Sequence, residues 1–412
     1  MKIAVIGSGG REHAISWKIA QTEGWDNVFT LPGNGGIPNS HVVDTNNFAE
    51  VENFCRQNNI QLIVVGPEIP LSAGIVDYFR QTDILILGPT KQAALLEGSK
   101  IWAKQFMQKY GVATAASQTF TSVDAAVSFI QSLQNKCVIK YDGLAAGKGV
   151  FVCNTDNDVE EAFNDLTTQY GNKFSFLVEE LLIGNEISII GITNGKAIQL
   201  LQPSQDHKQL LDNDLGPNTG GMGAFCPVPF CNDPLMQQIK ANIVTPTLNG
   251  LQAEGLDYKG FIYFGLMITD KGPKALEYNA RLGDPETEVI LPSLKSDLLP
   301  LILACLNNTL ANQTLSFHEG FFVDVVLTSG GYPKQYKQGY PISGLDEVSR
   351  DTLVFHAGTA KQANQIVTKG GRVLNIVGHG KNLNEAIEKA YQGVAKVSFT
   401  DVYYRKDIGQ RK

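Results

Sequence analysis

Glu277, Asn279 and Arg281 stand at alternate positions in the segment LEYNAR, and this spacing is where chemistry first becomes visible. In a β-strand, residues two apart share a face, so the three would present a carboxylate, an amide oxygen and a guanidinium side by side. Two hard oxygen donors suit Mg²⁺ or Mn²⁺ bridging nucleotide phosphates, and an arginine beside them can take a phosphoryl group bidentately. A surface ion cluster is the plainer alternative. The chain continues RLGDPE, which sets Asp284, Pro285 and Glu286 at a helix start. Carboxylates cap backbone amides there whether or not they also hold substrate.

GLAAGKG at 143–149 carries Gly143, Gly147, Lys148 and Gly149. Three residues separate its first two glycines where a P-loop has four, and no Ser or Thr follows the lysine. Val138 to Lys140 before it and Val150 to Cys153 after it read as strands, so a strand-loop-strand flap is expected. Small residues allow close backbone approach to a triphosphate and lysines supply point charge, although a glycine hairpin with a solvated lysine has the same letters. GSGGRE at 7–12 follows a strand and precedes a helix. Gly9, Gly10 and Arg11 could hold phosphate or substrate there, or the segment is a plain tight turn. A dinucleotide fingerprint fails, because Glu12 occupies the third glycine position and the second strand ends in Leu31 and Pro32 without an acid for a ribose.

SQDHK at 204–208 and DNDLGPNTGGMGA at 212–224 show no periodicity and predict one long loop. Such loops inside compact domains tend to be functional. Asp206, Asp212 and Asp214 could orient a cationic amine or form Asx-type turns. His207, between Asp206 and Lys208, reads as structural or solvent-facing rather than as a base. There is no GxSxG, no paired Cys and His and no HExxH. Phosphoryl transfer needs no activated nucleophile, since positioning and charge neutralisation supply most of its catalysis.

The elements that must place these residues are legible as a succession of units. From residue 2 to about 90, short β-branched runs (IAVI, LIVV, ILIL) alternate with segments at helical period, a βαβαβ pattern with ligand loops GSGGRE and GPEIPL at strand ends. GPT at 88–90 and Ser99 read as caps of two helices, the second with Lys100 and Lys104 on one face. A small lid-like unit is expected around the flap, ending in the strand FLVEE. Beyond it come ISIIGIT, the long loop, a helix near 233–253, the hairpin FIYFGLMITDKGPKALEYNARL and a helix near 286–307. A last unit from about 320 has strands FFVDVVLT and RVLNIVG and a helix at 383–395.

Composition bounds the class. The 412 residues, 43% of them apolar, allow two to four domains at roughly 150 residues each. A net charge of −7 argues against a non-specific polyanion binder, so phosphate must be held locally. The longest apolar run, Leu298 to Leu306, is interrupted by Pro300 and is too short to span a bilayer. A cytoplasmic chain with six free thiols is the expectation.

GLAAGKG between strands, the EExL segment (Glu179, Glu180, Leu182) and LEYNARLGDPE, in that order, resemble the ATP-grasp ligases. GSGGREHA, GPEIPL, GPT with EGSK, KYDGLAAGKG, SQDHK, GPNTGGMGA, RLGDPET, HAGT (356–359) and RKDIG (405–409) narrow the resemblance to the phosphoribosylamine-glycine ligase family, across residues 7–409. The fold implied is α/β: an N-terminal Rossmann-like parallel-sheet domain (1–103), an ATP-grasp region (104–318) with a central antiparallel sheet and a small mobile lid (119–188), and a C-terminal α+β domain (319–412). The activity implied joins glycine to 5-phosphoribosylamine through glycyl phosphate, with ATP as co-substrate and Mg²⁺ or Mn²⁺. Another ATP-grasp carboxylate-amine ligase is the alternative. A monomer or weak homodimer with no nucleic-acid or membrane partner is expected.

The resemblance also assigns residues. Lys104 and Lys140 would hold phosphates, with Lys140 and Arg281 catalytic. Lys148 with Gly143, Gly147 and Gly149 would form the flap. Glu179, Glu180 and Leu182 would line the adenine pocket, with Glu186 near the ribose, and Glu277 and Asn279 would bind the metal. Gly9, Gly10, Arg11, Glu12, Pro67, Glu68, Asp206, Asp212, Asp214, Gly220, Gly221, Met222, Asp284, Pro285 and Glu286 would surround glycine and phosphoribosylamine. Asp206, Asp214, Glu286 or the departing phosphate could take the amine proton. Two positions depart from the family pattern: Tyr141 follows Lys140 where a small residue is usual, and Asn185 precedes Glu186 where an acid is usual.

Overall fold

The computed structural model describes residues 1–144 and 149–410. Four parallel strands open the chain: β1 (Ile3–Gly7), β2 (Val28–Pro32), β3 (Leu62–Val65) and β4 (Leu85–Pro89). Every residue of β1 and β3 is buried, as uninterrupted β-branched runs require when helices cover both faces. Helix Gly10–Glu23 follows β1, and Asn47 caps helix Phe48–Asn58 by accepting the amide hydrogen of Glu50.

A separate four-stranded antiparallel sheet holds β5 (Ser117–Phe120), β6 (Cys137–Tyr141), β7 (Val150–Cys153) and β8 (Phe176–Glu180) in the order β5-β8-β6-β7. Helices Val123–Ser132 and Asp156–Tyr170 cover it, and it has its own small core around Ile130, Ile139, Phe163, Leu166 and Phe176. Thr155 and Asp158 form the capping box of the second helix.

The chain then builds β9 (Asn185–Thr193), β10 (Ile198–Leu200), β11 (Gln205–Asp206), β12 (Gln209–Leu211), β13 (Leu215–Asn218), β14 (Gly223–Cys226), β15 (Tyr258–Thr269) and β16 (Gly272–Asn279). β15 pairs with β9 along one edge and with β4, then β16, along the other. The parallel and antiparallel parts are therefore one eight-stranded sheet. β17 (Phe321–Thr328), β18 (Leu353–His356), the hairpin β19 (Thr359–Gln362) and β20 (Gln365–Thr368), and β21 (Arg372–Gly380) complete the strands. β11-β14-β17-β21-β18 form an antiparallel sheet covered by helix Leu383–Val394.

Two expectations need correction. The stretch 203–224 is not one irregular loop: it contains β11 to β14, strands of two to four residues whose backbones are paired although their letters do not alternate. The helix expected near 286–307 is two, Thr287–Ser293 and Leu298–Leu306, with the chain turning extended at Leu294. A division after residue 103 falls inside helix Lys100–Lys109. The six cysteines are free thiols, and among the described residues no helix is long and apolar enough to cross a membrane.

Candidate active site

A β-bulge organises the strand that carries the first motif. Gly265 of β15 pairs with Glu277, but the next residue, Leu266, pairs with Ala275, so Leu276 is extra. Before the bulge Pro273 and Ala275 are buried, and after it Tyr278 and Ala280 are. The extra residue shifts the phase of the pleat, and Leu276, Glu277, Asn279 and Arg281 all line one cavity of about 390 Å³. Leu276 turns its carbonyl to the Lys140 ammonium at 2.9 Å.

Five residues around that strand fix its charge. Lys104 and Lys140 each pair with a different oxygen of the buried Glu179, at 2.9 and 3.0 Å. Two ammoniums sharing one carboxylate leave net positive charge in a site walled from water, where an anion is held far more strongly than at the surface. Burial pushes Lys104 below its ordinary pKa, opposed by Glu179 and reinforced by Lys140. Ser99 caps helix Lys100–Lys109 through the Trp102 amide and also donates to Asp142, while Lys100 donates to the Gly143 carbonyl at 2.8 Å. The helix start thereby grips the near end of the flap segment.

Burial alone would raise the pKa of Glu277, but the charges of Lys208, Lys140, Lys100 and Arg281 outweigh it and hold the carboxyl below the usual range. Neither Glu277 nor Asn279 takes a hydrogen bond or ion pair through its side chain among the described residues. An ionised, uncommitted carboxylate next to an uncommitted amide oxygen fits a divalent ion. No cluster of three His, Cys, Asp or Glu arranged for a metal occurs among the described residues; Glu277 and Asn279 would hold a hard cation such as Mg²⁺, which keeps several non-protein oxygens.

Arg281 Nη2 meets Glu97 at 2.7 Å, and its Nε lies 3.4 Å from Glu68 in the GPEIPL segment. The same cavity is lined by Arg11, Asp206, Lys208, Thr219, Gly220, Asp284, Glu286 and Arg372. Arg372, from β21, pairs with Asp284 at 2.9 Å and donates to the carbonyls of Asp284 and Gly220. Glu286 accepts from Ser188 at 2.8 Å, and Ser188 in turn meets the Tyr263 hydroxyl at 2.8 Å. Lys208 pairs with Glu186, and although burial opposes it, that contact with Asp206, Tyr263 and Glu277 pushes its pKa well up.

The remaining expected site residues stand apart from the cavity wall. Glu12 caps the Gly9 amide at 2.6 Å and pairs with Arg11, and at Gly7, where φ is +129°, a Cβ would lie 2.4 Å from Glu12 Cγ. The GSGGRE loop is thus built around the Glu12 carboxylate. Gly10 packs against Asn375 and Glu288, Pro67 occupies the N-cap position of helix Glu68–Ala73, and Gly221 (φ +115°) packs against Pro285, where a Cβ would come within 2.4 Å. Met222 is in the core. Glu180 accepts from the Ala116 amide and pairs with Lys274, and Leu182 is half-buried after β8.

Asp212 and Asp214 do not line the cavity either. Asp212 accepts the Lys406 amide hydrogen at 2.8 Å and Asp214 pairs with Arg405 at 2.9 Å. Gly147 and Lys148 lie outside the described residues, whereas Gly143 and Gly149 line the cavity. Sequence reasoning did not select Lys100, Arg372, Glu97 or Tyr263 as site residues, and took Lys208 only as part of SQDHK. The signal for Lys208 was its place in SQDHK, and that for Glu97 its place in EGSK.

A lid sheet over a lysine pair, facing an antiparallel floor strand that carries Glu277, Asn279 and Arg281, defines an ATP-grasp ligase. Family models of phosphoribosylglycinamide synthetase match the N domain over residues 1–97, the ATP-grasp (A) domain over 98–287 and the C domain over 322–411. The chain belongs to the phosphoribosylglycinamide synthetase family. It is 45% identical to phosphoribosylamine–glycine ligase of Clostridium acetobutylicum and 42% identical to that of Synechocystis, covering 100% of this chain and of each relative. A crystal structure of phosphoribosylamine–glycine ligase from Thermotoga maritima superposes with a TM-score of 0.86 at 35% identity, over 99% of this chain and 100% of that one. The biotin carboxylase domain of Hydrogenobacter thermophilus 2-oxoglutarate carboxylase, solved with MgADP, shares the fold with a TM-score of 0.71 at 14% identity, over 98% and 91% of the two chains.

Proposed function

We propose that this protein ligates glycine to 5-phosphoribosylamine, converting ATP to ADP and phosphate and releasing glycinamide ribonucleotide, the second step of de novo purine synthesis. The observation that carries this reading is that one cavity is lined both by phosphate-attracting Lys104 and Lys140 and by Arg11, Asp206, Asp284, Glu286 and Arg372 from the substrate motifs.

A carboxylate does not accept an amine at neutral pH, because its charge repels attack and its leaving group would be oxide. Phosphorylation by ATP to glycyl phosphate removes both obstacles, and the amine then displaces phosphate. Glycine carboxylate and γ-phosphate are both anionic, so the first step needs cations. Lys104, Lys140 and Arg281 supply them in this reading, placed where charge develops. Glu277 and Asn279 would hold Mg²⁺ or Mn²⁺, which when bound adds Lewis-acid neutralisation of the phosphates. Arg281 is aimed by Glu97 rather than left to swing, so its orientation costs nothing at the moment of transfer. Asp206, Asp284 and Glu286 would receive the cationic or amine groups of the two acceptors. The strand-flanked 143–149 segment would close over the phosphates and keep water from the acyl phosphate.

The test is ADP release from purified protein with Mg-ATP and glycine alone, phosphoribosylamine alone, or both, with serine and alanine as controls. Phosphoribosylamine is generated in place from ribose 5-phosphate and ammonia. Turnover only with glycine and phosphoribosylamine together, and a product of the mass of glycinamide ribonucleotide, is expected. A folded, ATP-binding protein with no such turnover would discard the substrate assignment.

A further inference from the structure

The hairpin β12–β13 leaves the cavity at Lys208 and returns to it at Thr219 and Gly220. Its neck is closed by Thr219, whose amide and hydroxyl both donate to the Lys208 carbonyl at 2.8 Å. Its outer turn, Asp212 to Asp214, holds two non-glycine residues at positive φ, Asn213 at 61° and Asp214 at 54°. Asn and Asp tolerate that region better than other side chains, and the turn is held further by its surroundings.

The surroundings are the C-terminal segment. Arg405 is fully buried. Its Nε and Nη2 donate to the two oxygens of Asp407 at 2.8 and 2.7 Å, and its Nη1 donates to Asp214 at 2.9 Å and to the Gln209 carbonyl at 3.1 Å. Asp407 also accepts the Asn213 amide hydrogen at 2.8 Å, and Asp212 accepts that of Lys406. Gly409 donates to His207 Nε2 at 3.1 Å, and the Tyr403 hydroxyl donates to the Leu210 carbonyl at 3.0 Å. Every bond in this set joins the RKDIG segment or its flank to residues 207–214, or braces Arg405 itself.

We propose that Arg405 is a positioning residue for the acceptor side of the reaction: by clamping the outer turn of β12–β13 it sets where Lys208, Thr219 and Gly220 stand in the cavity. This rests on the function proposed above. The nucleotide side is built on helix Lys100–Lys109, β6, β8 and β16, and among the described residues the Arg405 side chain bonds to none of them; of the clamped residues only Lys208 also faces that side, through Glu186 and Glu277. A lysine at 405 would keep the charge but lose the planar fork that serves Asp407, Asp214 and Gln209 together.

The experiment compares wild type with Arg405→Lys. A rise of about tenfold in KM for phosphoribosylamine, the size of one lost charge-assisted hydrogen bond, is expected, with ATP KM within about twofold. Hydrogen exchange should quicken at 207–220 and stay unchanged at 100–141. An unchanged KM for phosphoribosylamine with unchanged exchange at 207–220 overturns the proposal, and so does an equal rise in ATP KM, which would mark a general scaffold role. Should Arg405→Lys fail to fold, Asp407→Asn removes the charge of the bidentate partner and is read the same way. If wild type does not turn over with glycine and phosphoribosylamine, the proposed function fails by itself, and the exchange pattern still decides whether Arg405 holds the hairpin.

Discussion

Arg281 and Glu97 meet at 2.7 Å, and the second oxygen of the same carboxylate accepts the Ala280 amide hydrogen at 2.7 Å. One buried side chain thus holds both the backbone and the guanidinium at the end of β16. Removing that guanidinium should lower kcat by about a hundredfold or more, the scale of one lost transition-state donor. Steady-state turnover of folded Arg281→Ala decides it, and a near-normal rate would remove the assigned role. Glu97→Gln keeps an acceptor for Ala280 but loses the charge facing Arg281, and should lower kcat more than it changes the ATP KM.

Glu277 is held ionised, and among the described residues its side chain takes no hydrogen bond or ion pair. Replacing it with Gln should raise the Mg²⁺ concentration needed for half-maximal turnover by about tenfold or more, since hard cations depend on carboxylate charge. A titration of rate against Mg²⁺ at saturating ATP would show an unmoved midpoint if the metal sits elsewhere.

Tyr141 stacks on Tyr170 with ring centroids 3.7 Å apart and planes 7° from parallel. The aromatic beside the flap is therefore turned into the lid core, tying the end of β6 to helix Asp156–Tyr170. Tyr141→Ala should cost the lid about 1 kcal/mol of packing and change ATP KM more than kcat. An unchanged KM with a fallen kcat would contradict that account.

His13 and His356 join the first helix to the last sheet, the His356 amide donating to His13 Nδ1 at 2.8 Å. Burial, with the charge of His356 adding to it, pushes His13 down to about 3, and burial pushes His356 to about 4. Both are depressed below the ordinary value near 6.5, so the unfolded chain binds protons that the fold excludes. Stability is then full above about pH 6.5 and falls as pH drops toward 4, by up to about 1.4 kcal/mol per histidine per pH unit. The melting temperature should fall between pH 7 and pH 5, and less steeply for His13→Asn, which keeps an acceptor but does not titrate. Parallel pH profiles for the two proteins would refute the linkage.

How much of this was legible in the letters varied with the range of the interaction. The shared face of Glu277, Asn279 and Arg281 follows from period two, and Ser99 as a cap follows from local hydrogen bonding. The bulge at Leu276 does not, because an extra residue is defined only by what it fails to pair with on β15. Asp212 and Asp214 looked like ligands because their partners, Lys406 and Arg405, are nearly two hundred positions away. Lys208 was overshadowed by His207, yet the lysine faces the cavity and the histidine is buried behind it. Arg372 reads as the start of an ordinary strand until the sheet brings it to Asp284. The split near 294 carried a local sign in Pro292, which the apolar run on either side concealed.

The joining of β4 to β15 through Pro89, Gly88, Tyr258 and Lys259 has a mechanical consequence. With the first unit and the catalytic floor sharing a continuous hydrogen-bonded plane, they cannot swing apart without tearing a sheet. The small sheet of β5 to β8 is joined to the rest of the chain by two crossings, near 114–116 and 181–184, and we propose that substrate entry and product exit fall to its movement. On that proposal a covalent tether between floor and first unit is silent, and one across those two crossings slows turnover.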